Sequence, residues 1–253
     1  MTSQENKDFL TSQIITYLGN KRTLIYEIEG QIQEIRAKLN KDKFLCLDLF
    51  SGSGIVARML KGWSSKLIVN DLENYSAVIN SCYLSNKSDF DEDKYNHYKN
   101  LIEKEMSVSM QEGIITQNYA PQNDENIQQG ERAFYTHENA LRIDTYRNLI
   151  EKLVEPDYKK YFLAPLITEA SIHVNTSGVF KGFYKDRNTG IGCFGGVGKN
   201  ALPRILGKVQ LEKPVLSNFE SEVEIFQEDA VELSKKPKGI DIAYLDPPYN
   251  QHP

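Results

Sequence analysis

The residues best suited to chemistry form one run near the end of the printed chain: Asp246, Pro247, Pro248, Tyr249 and Asn250. They follow an apolar run, residues 240–245, that has the length and composition of a buried strand. An acid, two rigid prolines and an aromatic ring at a strand end form a polar ledge with a stacking face. Such a ledge suits an enzyme that holds a flat base and presents its exocyclic amino nitrogen. The alternative is a structural turn, which the apolar strand and the glycine turn described next disfavour.

A glycine turn is the second candidate site. The segment Asp48-Leu49-Phe50-Ser51-Gly52-Ser53-Gly54 begins at the end of a predicted buried strand, residues 44–50, and leads through a turn into a predicted helix that ends before Gly62. Glycines let the backbone approach a ligand closely, and a helix start offers free N–H groups. Asp71 follows the next strand, 19 residues after Gly52, where an acid can accept hydrogen bonds from ribose hydroxyls. The pattern indicates an adenosine cofactor. From these residues NAD, S-adenosylmethionine and a plain structural turn all remain open.

Composition limits the class of protein. The chain has 253 residues, a net charge of −5 and three widely separated cysteines. An odd, dispersed set of cysteines is typical of a reducing cytoplasm, and no apolar run is long enough to span a membrane. The four histidines have no ligand spacing, so we expect no metal. We expect a cytoplasmic protein.

A basic, glycine-rich window is the third feature. Between residues 178 and 208 there is a single acid, Asp186, among six basic residues: Lys181, Lys185, Arg187, Lys199, Arg204 and Lys208. Solubility is the common reason for a basic loop. A local positive field is also what nucleic-acid binding requires, whatever the net charge of the whole chain.

Strand and helix patterns alternate at both ends of the chain and predict an α/β core. A helix over 21–39, strands over 44–50 and 66–70 and a helix over 74–84 precede the break in alternation. A strand over 222–226, a helix from Asp229 and a strand to Leu245 follow it. Between them we predict helices near 94–110, 138–154 and 158–174, a loop over 117–130 and a hairpin over 179–194. The predicted domains are 1–84 and 219–253, which form the core, and 85–218, which forms an inserted lobe.

In three blocks the chain resembles the Dam-like adenine-specific DNA methyltransferases, also called the D12 class. The blocks are Tyr17-Leu18-Gly19-Asn20-Lys21, Asp48 to Gly54, and Asp246 to Tyr249. Their order, with a long insert before the last block, is similar to the alpha group of that family. The resemblance implies a Rossmann-like S-adenosylmethionine-dependent core with an inserted helical and hairpin DNA-recognition lobe. It also implies adenine N6 in double-stranded DNA as the methyl acceptor, reached by flipping the base out of the duplex, within a restriction-modification system.

The resemblance implies roles for individual residues. At the base, Tyr249 would stack, Asp246 would accept a hydrogen bond from the amino group, and the carbonyl of Pro247, held rigid by Pro248, would accept another. Toward the cofactor, Lys21 would hold the methionine carboxylate, Asp48 would lie near the amino group and Asp71 would hold the ribose. The other implied cofactor residues are Tyr17, Phe50, Gly52, Gly54 and Asp229. The implied DNA contacts are Lys181, Lys185, Arg187, Asn188 and Lys199.

The family's sheet normally continues beyond the Asp-Pro-Pro-Tyr block. We therefore expect a chain truncated after that strand: a fragment, a chain with a further C-terminal portion, or a half-enzyme completed by a partner subunit. Two alternatives to the main hypothesis remain. Similar Pro-Pro-Tyr ledges serve methyltransferases acting on cytosine N4, RNA bases or protein glutamine. A non-catalytic or incomplete DNA-recognition subunit that requires a partner is the other.

Overall fold

The computed structural model describes residues 4–12, 14–15, 21–176, 182–196 and 198–248. Seven residues with predicted roles or motif positions lie outside these ranges: Tyr17, Leu18, Gly19, Asn20, Lys181, Tyr249 and Asn250. The described residues divide into two compact units. The first, here called the sheet unit, comprises 4–12, 21–91 and 214–248; the second, the helical unit, comprises 14–15, 92–176, 182–196 and 198–213.

Helices and strands of both units are numbered in chain order. The strands are β1 (Phe44–Asp48), β2 (Ser64–Asn70), β3 (Glu222–Phe226) and β4 (Ile242–Tyr244). The helices are α1 (Lys7–Thr11), α2 (Ile25–Leu39), α3 (Ile55–Trp63), α4 (Asn74–Tyr83), α5 (Glu92–Val108), α6 (Ile114–Tyr119), α7 (His137–Leu153), α8 (Lys160–His173), α9 (Leu202–Leu206) and α10 (Ala230–Ser234). Short 3₁₀ turns lie at Arg22–Leu24, Lys87–Asp89 and Pro156–Tyr158.

The sheet unit is built on four parallel strands in the order β3-β2-β1-β4. β1 is central, and Cys46 lies in register with Leu67 on one side and Ile242 on the other. The strand order reverses between β1 and β4, because β2 and β3 follow on one side of β1 and β4 lies on the other. In open parallel sheets such a reversal opens a crevice at the carboxyl ends of the strands, where ligands bind.

Both faces of β1 are covered, as expected for a near-continuous apolar strand. Successive side chains of a strand point to opposite faces. One face carries a buried cluster of Leu47, Leu49, Ile68 and, from α10, Leu233. Cys46 and Asp48 alternate with the leucines of this cluster and are also buried. The acid at the end of β1 is therefore part of the interior.

Helix α3 follows the glycine turn, and its observed end corrects one prediction. We predicted that Gly62 would lie just past the helix, but α3 continues through Gly62 to Trp63. The reason is burial: every residue of α3 is buried, so packing outweighs the low helix propensity of glycine. Even Lys61 is buried, and its ammonium donates to the Leu84 carbonyl and to Asn86, each at 2.6 Å.

Arg58 of α3 anchors the N-terminal helix to the sheet unit. Its guanidinium is buried and donates to the carbonyls of Phe9, at 2.5 Å, and Ser12, at 3.3 Å. These carbonyls belong to the last turn and the C-cap of α1. A fixed arginine fork therefore holds the segment that precedes the Tyr17–Lys21 block.

The helical unit contains α5 to α9 and corrects the predicted loop over 117–130. The first residues of that predicted loop, 117–119, belong to α6. The local polar composition suggested a loop, but Asp144 of α7 stabilises the start of α6. Its carboxylate accepts hydrogen bonds from the backbone of Ile115, at 3.1 Å, and from the backbone and hydroxyl of Thr116, both at 2.7 Å. This tertiary cap satisfies N–H groups that a short helix leaves free.

The described part of the predicted hairpin pairs as expected. Lys185 forms an antiparallel bridge with Gly192, and the Cys193 N–H donates to the Tyr184 carbonyl at 2.9 Å. At the turn, the Asp186 carboxylate accepts from the N–H groups of Asn188, at 3.0 Å, and Thr189, at 2.9 Å. None of the described helices is both long and apolar enough to cross a membrane.

Candidate active site

Polar residues meet where neighbouring strands of the sheet unit end. Asp48 is the last residue of β1, Asp71 follows β2 directly, and Asp246 comes two residues after β4. The backbone continues the sheet past these ends: the Leu49 N–H donates to the Tyr244 carbonyl at 3.2 Å. The three acids therefore belong to one edge of the sheet, at the reversal between β1 and β4.

The glycine turn lies between β1 and α3. Gly52 and Gly54 have φ angles of +51° and +74°, in the left-handed region that favours glycine. The Gly52 N–H donates to the Asp71 carboxylate at 2.7 Å, which joins the turn to the end of β2. A Cβ added to Gly54 would lie 2.2 Å from Oδ1 of Asn80, so no side chain fits there without rearrangement. The packing of Asn80 against the turn therefore requires a residue without a side chain at Gly54.

Asp48 is the most unusual acid of the site. It is only 1% exposed, and neither carboxylate oxygen has a hydrogen-bond partner within the described ranges. Burial, helped by the nearby carboxylates of Asp71 and Asp246, raises the pKa of this carboxyl to about 7. The backbone of Phe50 and Ala57 opposes this pKa shift in part, without reaching hydrogen-bond geometry. A buried carboxyl with these neighbours is suited to a cationic ligand group, which would restore its charged form.

Lys21 of the N-terminal block pairs with an acid near the other end of the chain. Its ammonium lies 2.6 Å from Oδ2 of Asp246, and the two side chains are 19% and 28% exposed. Lys21 precedes the 3₁₀ turn before α2, and Asp246 opens the ledge after β4. The sequence assigned the two residues to different ligands. The structure brings the two side chains together. Pro247 and Pro248, which follow Asp246, are exposed.

Two other predicted cofactor residues have structural partners. Asp229 lies beyond β3 and caps α10, where its carboxylate accepts from the N–H groups of Val231, at 2.9 Å, and Glu232, at 3.2 Å. Phe50 packs against the apolar cluster beneath the sheet. These contacts account for both positions structurally, and their cofactor roles stay predictions.

The predicted DNA contacts that the structure describes lie in the helical unit and are all exposed: Lys185, Arg187, Asn188 and Lys199. The Lys185 ammonium lies 5.2 Å from the ring centroid of Phe183. Lys199 has a φ of +48°, uncommon for a residue with a side chain. The hairpin thus presents positive charge and a polar amide to solvent.

Sequence reasoning missed the buried polar residues that hold the site. Asn70 ends β2 and is 1% exposed. Its amide donates to the carbonyls of Leu49, at 3.2 Å, and Glu228, at 3.1 Å, and accepts from the Glu228 N–H at 3.0 Å. It therefore ties together the backbone beyond β1, β2 and β3. The signal was an asparagine closing an apolar strand, which alone does not distinguish a buried amide from a turn residue.

The parallel sheet, the glycine turn after β1 and the acids at the strand reversal define a Rossmann-like methyltransferase core. The sequence model of the D12 class N6 adenine-specific DNA methyltransferases matches residues 17–253. The chain belongs to this family.

Three relatives have about the same sequence identity to this chain. The chain is 30% identical over 242 residues to type II methyltransferase M.NlaIII of Neisseria lactamica, and 31% identical over 239 residues to M.CviAII of Paramecium bursaria Chlorella virus 1. Each match covers 93% of this chain and 64% of the relative. A 30% match over 244 residues to M.FokI of Planomicrobium okeanokoites covers 92% of the chain and 34% of that protein. The chain thus spans less than two thirds of the length of these relatives. No solved structure matches it significantly.

Proposed function

We propose that this protein transfers a methyl group from S-adenosylmethionine to adenine N6 at a specific site in double-stranded DNA. We infer a cytoplasmic modification enzyme of a type II restriction-modification system. The observation that carries the proposal is the meeting of Lys21 and Asp246, from opposite ends of the chain, at the sheet edge that bears the glycine turn. Family membership supports the same reaction.

The residues at this edge fit the cofactor. Asp48, buried with neither oxygen hydrogen-bonded in the described chain, would hold the cofactor's ammonium group. Asp71 would accept hydrogen bonds from the ribose hydroxyls, and the absence of side chains at Gly52 and Gly54 would let the cofactor approach the backbone closely. Lys21 would bind the carboxylate, while Tyr17 and Asp229 would complete the site. When bound, S-adenosylmethionine supplies an electrophilic methyl group.

The ledge after β4 would act on the base. The lone pair of adenine N6 is delocalised into the ring, so the nitrogen is a poor nucleophile until its hydrogen bonding changes. Asp246 would accept a hydrogen bond from one N6–H and the Pro247 carbonyl a hydrogen bond from the other. Pro248 restricts the backbone that orients this carbonyl. These acceptors would turn the lone pair toward the methyl group, which is chiefly a positioning and electrostatic effect. Tyr249 would stack on the flipped base, whose extrusion costs a few kcal/mol.

We assign DNA recognition to the inserted lobe, residues 85–218, and core functions to 1–84 and 219–253. The exposed charges Lys185, Arg187 and Lys199 would contact phosphates, together with Lys181. Phosphate contacts position a protein on the duplex without reading its sequence. The Asn188 amide would contact a groove edge or the backbone.

The test uses labelled S-adenosylmethionine and long mixed-sequence duplex DNA, followed by digestion and identification of the methylated nucleoside. We expect label in N6-methyladenine with the wild-type chain and none with Asp246→Asn. Asp42→Asn serves as the matched control, because Asp42 is an exposed acid that pairs with Arg36 far from the ledge in sequence.

Label in N4-methylcytosine would overturn the choice of base. Absence of label from the wild-type chain, with cofactor binding retained by calorimetry, would overturn turnover by this chain alone and favour an incomplete subunit. Loss of cofactor binding as well would overturn the proposed site.

A further inference from the structure

A buried hydrogen-bond network lies under the glycine turn and uses residues that have no assigned role. Ser76 and Asn80, on α4, are 0% and 1% exposed. The Asn80 amide donates to the Ser51 hydroxyl at 3.0 Å, and the hydroxyls of Ser51 and Ser76 lie 3.2 Å apart. The Ser76 hydroxyl donates to the Gly52 carbonyl at 2.7 Å.

The hydrogen bond from Ser76 to Gly52 determines which group donates in each of the other hydrogen bonds. A hydroxyl has one hydrogen, and that of Ser76 is committed to the Gly52 carbonyl. Ser51 must therefore donate to Ser76, and Asn80 to Ser51. The resulting chain of donors runs from α4 to one peptide of the turn. Consecutive hydrogen bonds of this kind polarise and strengthen one another in a dry interior.

The Gly52 residue is consequently held from two directions. Its carbonyl accepts from Ser76 and its N–H donates to Asp71, both at 2.7 Å. Its φ of +51° is a conformation in which glycine retains much freedom when unrestrained. Fixing both polar groups removes that freedom before any ligand arrives.

Asn80 of this network also occupies the space where a side chain at Gly54 would lie. Oδ1 of Asn80 lies 2.2 Å from the position of a Cβ on Gly54. Asn80 also donates to the backbone carbonyl of Ser76, at 3.0 Å, within its own helix. Oδ1 of Asn80 has no hydrogen-bond partner within the described residues, so burying this amide carries a cost. The amide hydrogens of Asn80 and the hydroxyl of Ser76 are nevertheless directed at the turn and at the backbone of their own helix.

We propose that Ser76 and Asn80 are positioning residues, which hold the glycine turn in its cofactor-binding conformation through hydrogen bonds to Ser51 and Gly52. The inference rests on the proposed function and adds residues that do not touch the cofactor themselves. Pre-organisation of this kind strengthens binding because the ligand does not have to order the loop.

The experiment compares wild type with Ser76→Ala, Asn80→Ala and the control Ser81→Ala. Ser81 lies on the same helix, and its hydroxyl donates only locally, to the Val78 carbonyl at 2.8 Å. The dissociation constant for S-adenosylmethionine is measured by calorimetry, with melting temperature and steady-state kinetics alongside. We expect Ser76→Ala to weaken cofactor binding about 5- to 30-fold, the effect of losing one buried hydrogen bond. The KM for the cofactor should rise accordingly, while the KM for DNA stays within about twofold. Ser81→Ala should match wild type.

A wild-type affinity in both Ser76→Ala and Asn80→Ala, measured well below their melting temperatures, would overturn the inference. So would equal loss in Ser81→Ala. A purely structural role would lower the melting temperature and leave the cofactor affinity of the folded protein unchanged. If Ser76→Ala does not fold, Ser51→Ala and Asn80→Ala decide the question. Both break the network further from Gly52, at the hydroxyl that donates to Ser76 and at the amide that donates to Ser51. Failure of the wild-type chain to bind the cofactor would instead refute the proposed function.

Discussion

The ammonium of Lys21 lies 2.6 Å from Oδ2 of Asp246, so the first described residue of the N-terminal block and the first residue of the ledge form one ion pair. Both side chains are partly shielded, which makes the pair stronger than a fully exposed one. Under the proposed function, Lys21 would interact with two negative groups: the cofactor's carboxylate and Asp246, the acid that orients N6.

Replacing Lys21 should impair both cofactor binding and catalysis. We expect Lys21→Met to weaken cofactor binding and to reduce kcat/KM about tenfold or more, since hydrogen bonds to charged groups contribute about 1.5–3 kcal/mol. Lys21→Arg should retain part of both. The control is Lys41→Met, which removes an ion pair with Asp241, at the opposite end of β4 from the ledge. Single-turnover kinetics and calorimetry would measure the effect. An unchanged kcat/KM in Lys21→Met would show that the pair is incidental.

The buried carboxyl of Asp48 should make the ligand-free protein less stable at higher pH. In the unfolded chain this group loses its proton near its ordinary pKa of 3.8, whereas the folded protein keeps it to about 7. Between these values the folded state binds more protons than the unfolded state, so stability falls as pH rises. The expected contribution is a few kcal/mol across that window. Urea unfolding at pH 5 and pH 8 would measure the part of this contribution that develops above pH 5.

Asp48→Asn is the matched variant for this pH dependence. It keeps the shape of the side chain and removes its titration, so the difference in unfolding free energy between pH 5 and pH 8 should shrink. The exposed acid variant Asp42→Asn should leave that difference unchanged. An identical pH dependence in Asp48→Asn and wild type would mean that Asp48 does not carry the proton.

Cofactor binding should release a proton from the same group. Near pH 6 most Asp48 is protonated, because its pKa is raised to about 7. A cationic group placed beside it favours the charged carboxylate and expels the proton. Calorimetric titrations at pH 6 in two buffers of different ionisation enthalpy should differ by the heat of about one proton. Equal heats in both buffers would contradict a cation at Asp48.

The glycine turn should not tolerate a methyl group at Gly54. Gly54→Ala combines a φ of +74° with a Cβ 2.2 Å from Oδ1 of Asn80. We expect a loss of roughly 1–3 kcal/mol in unfolding free energy and loss of cofactor binding. Gly30→Ala is the control, because Gly30 lies in α2 with open space around its Cβ and alanine favours helices. A Gly54→Ala protein that binds the cofactor normally would show that the turn adapts.

Much of the sheet unit follows from the sequence, because β1 is almost entirely apolar, β2 contains the apolar run Leu67–Val69 and β3 alternates glutamates with apolar residues. The limits lie where tertiary contacts decide. Gly62 lies inside α3 because its surroundings are buried, and α6 exists because a distant acid, Asp144, caps it. Asn70 and Asn80 look like ordinary polar residues until folding buries their amides against backbone groups. Local pattern identified which residue types form the site, but not the buried residues that hold it.

The hairpin charges should contribute to DNA binding without specifying sequence. Arg187→Ala should weaken binding similarly on all duplexes and reduce the slope of log affinity against log salt by about one, as expected for one lost phosphate contact. Lys38→Ala, an exposed charge on α2 in the core, is the control and should leave the slope unchanged. Fluorescence anisotropy on two unrelated duplexes between 50 and 200 mM salt, roughly the range over which such slopes are resolved, makes the comparison. A loss confined to one duplex would instead assign Arg187 to base readout, and an unchanged slope would remove the hairpin turn from the DNA interface.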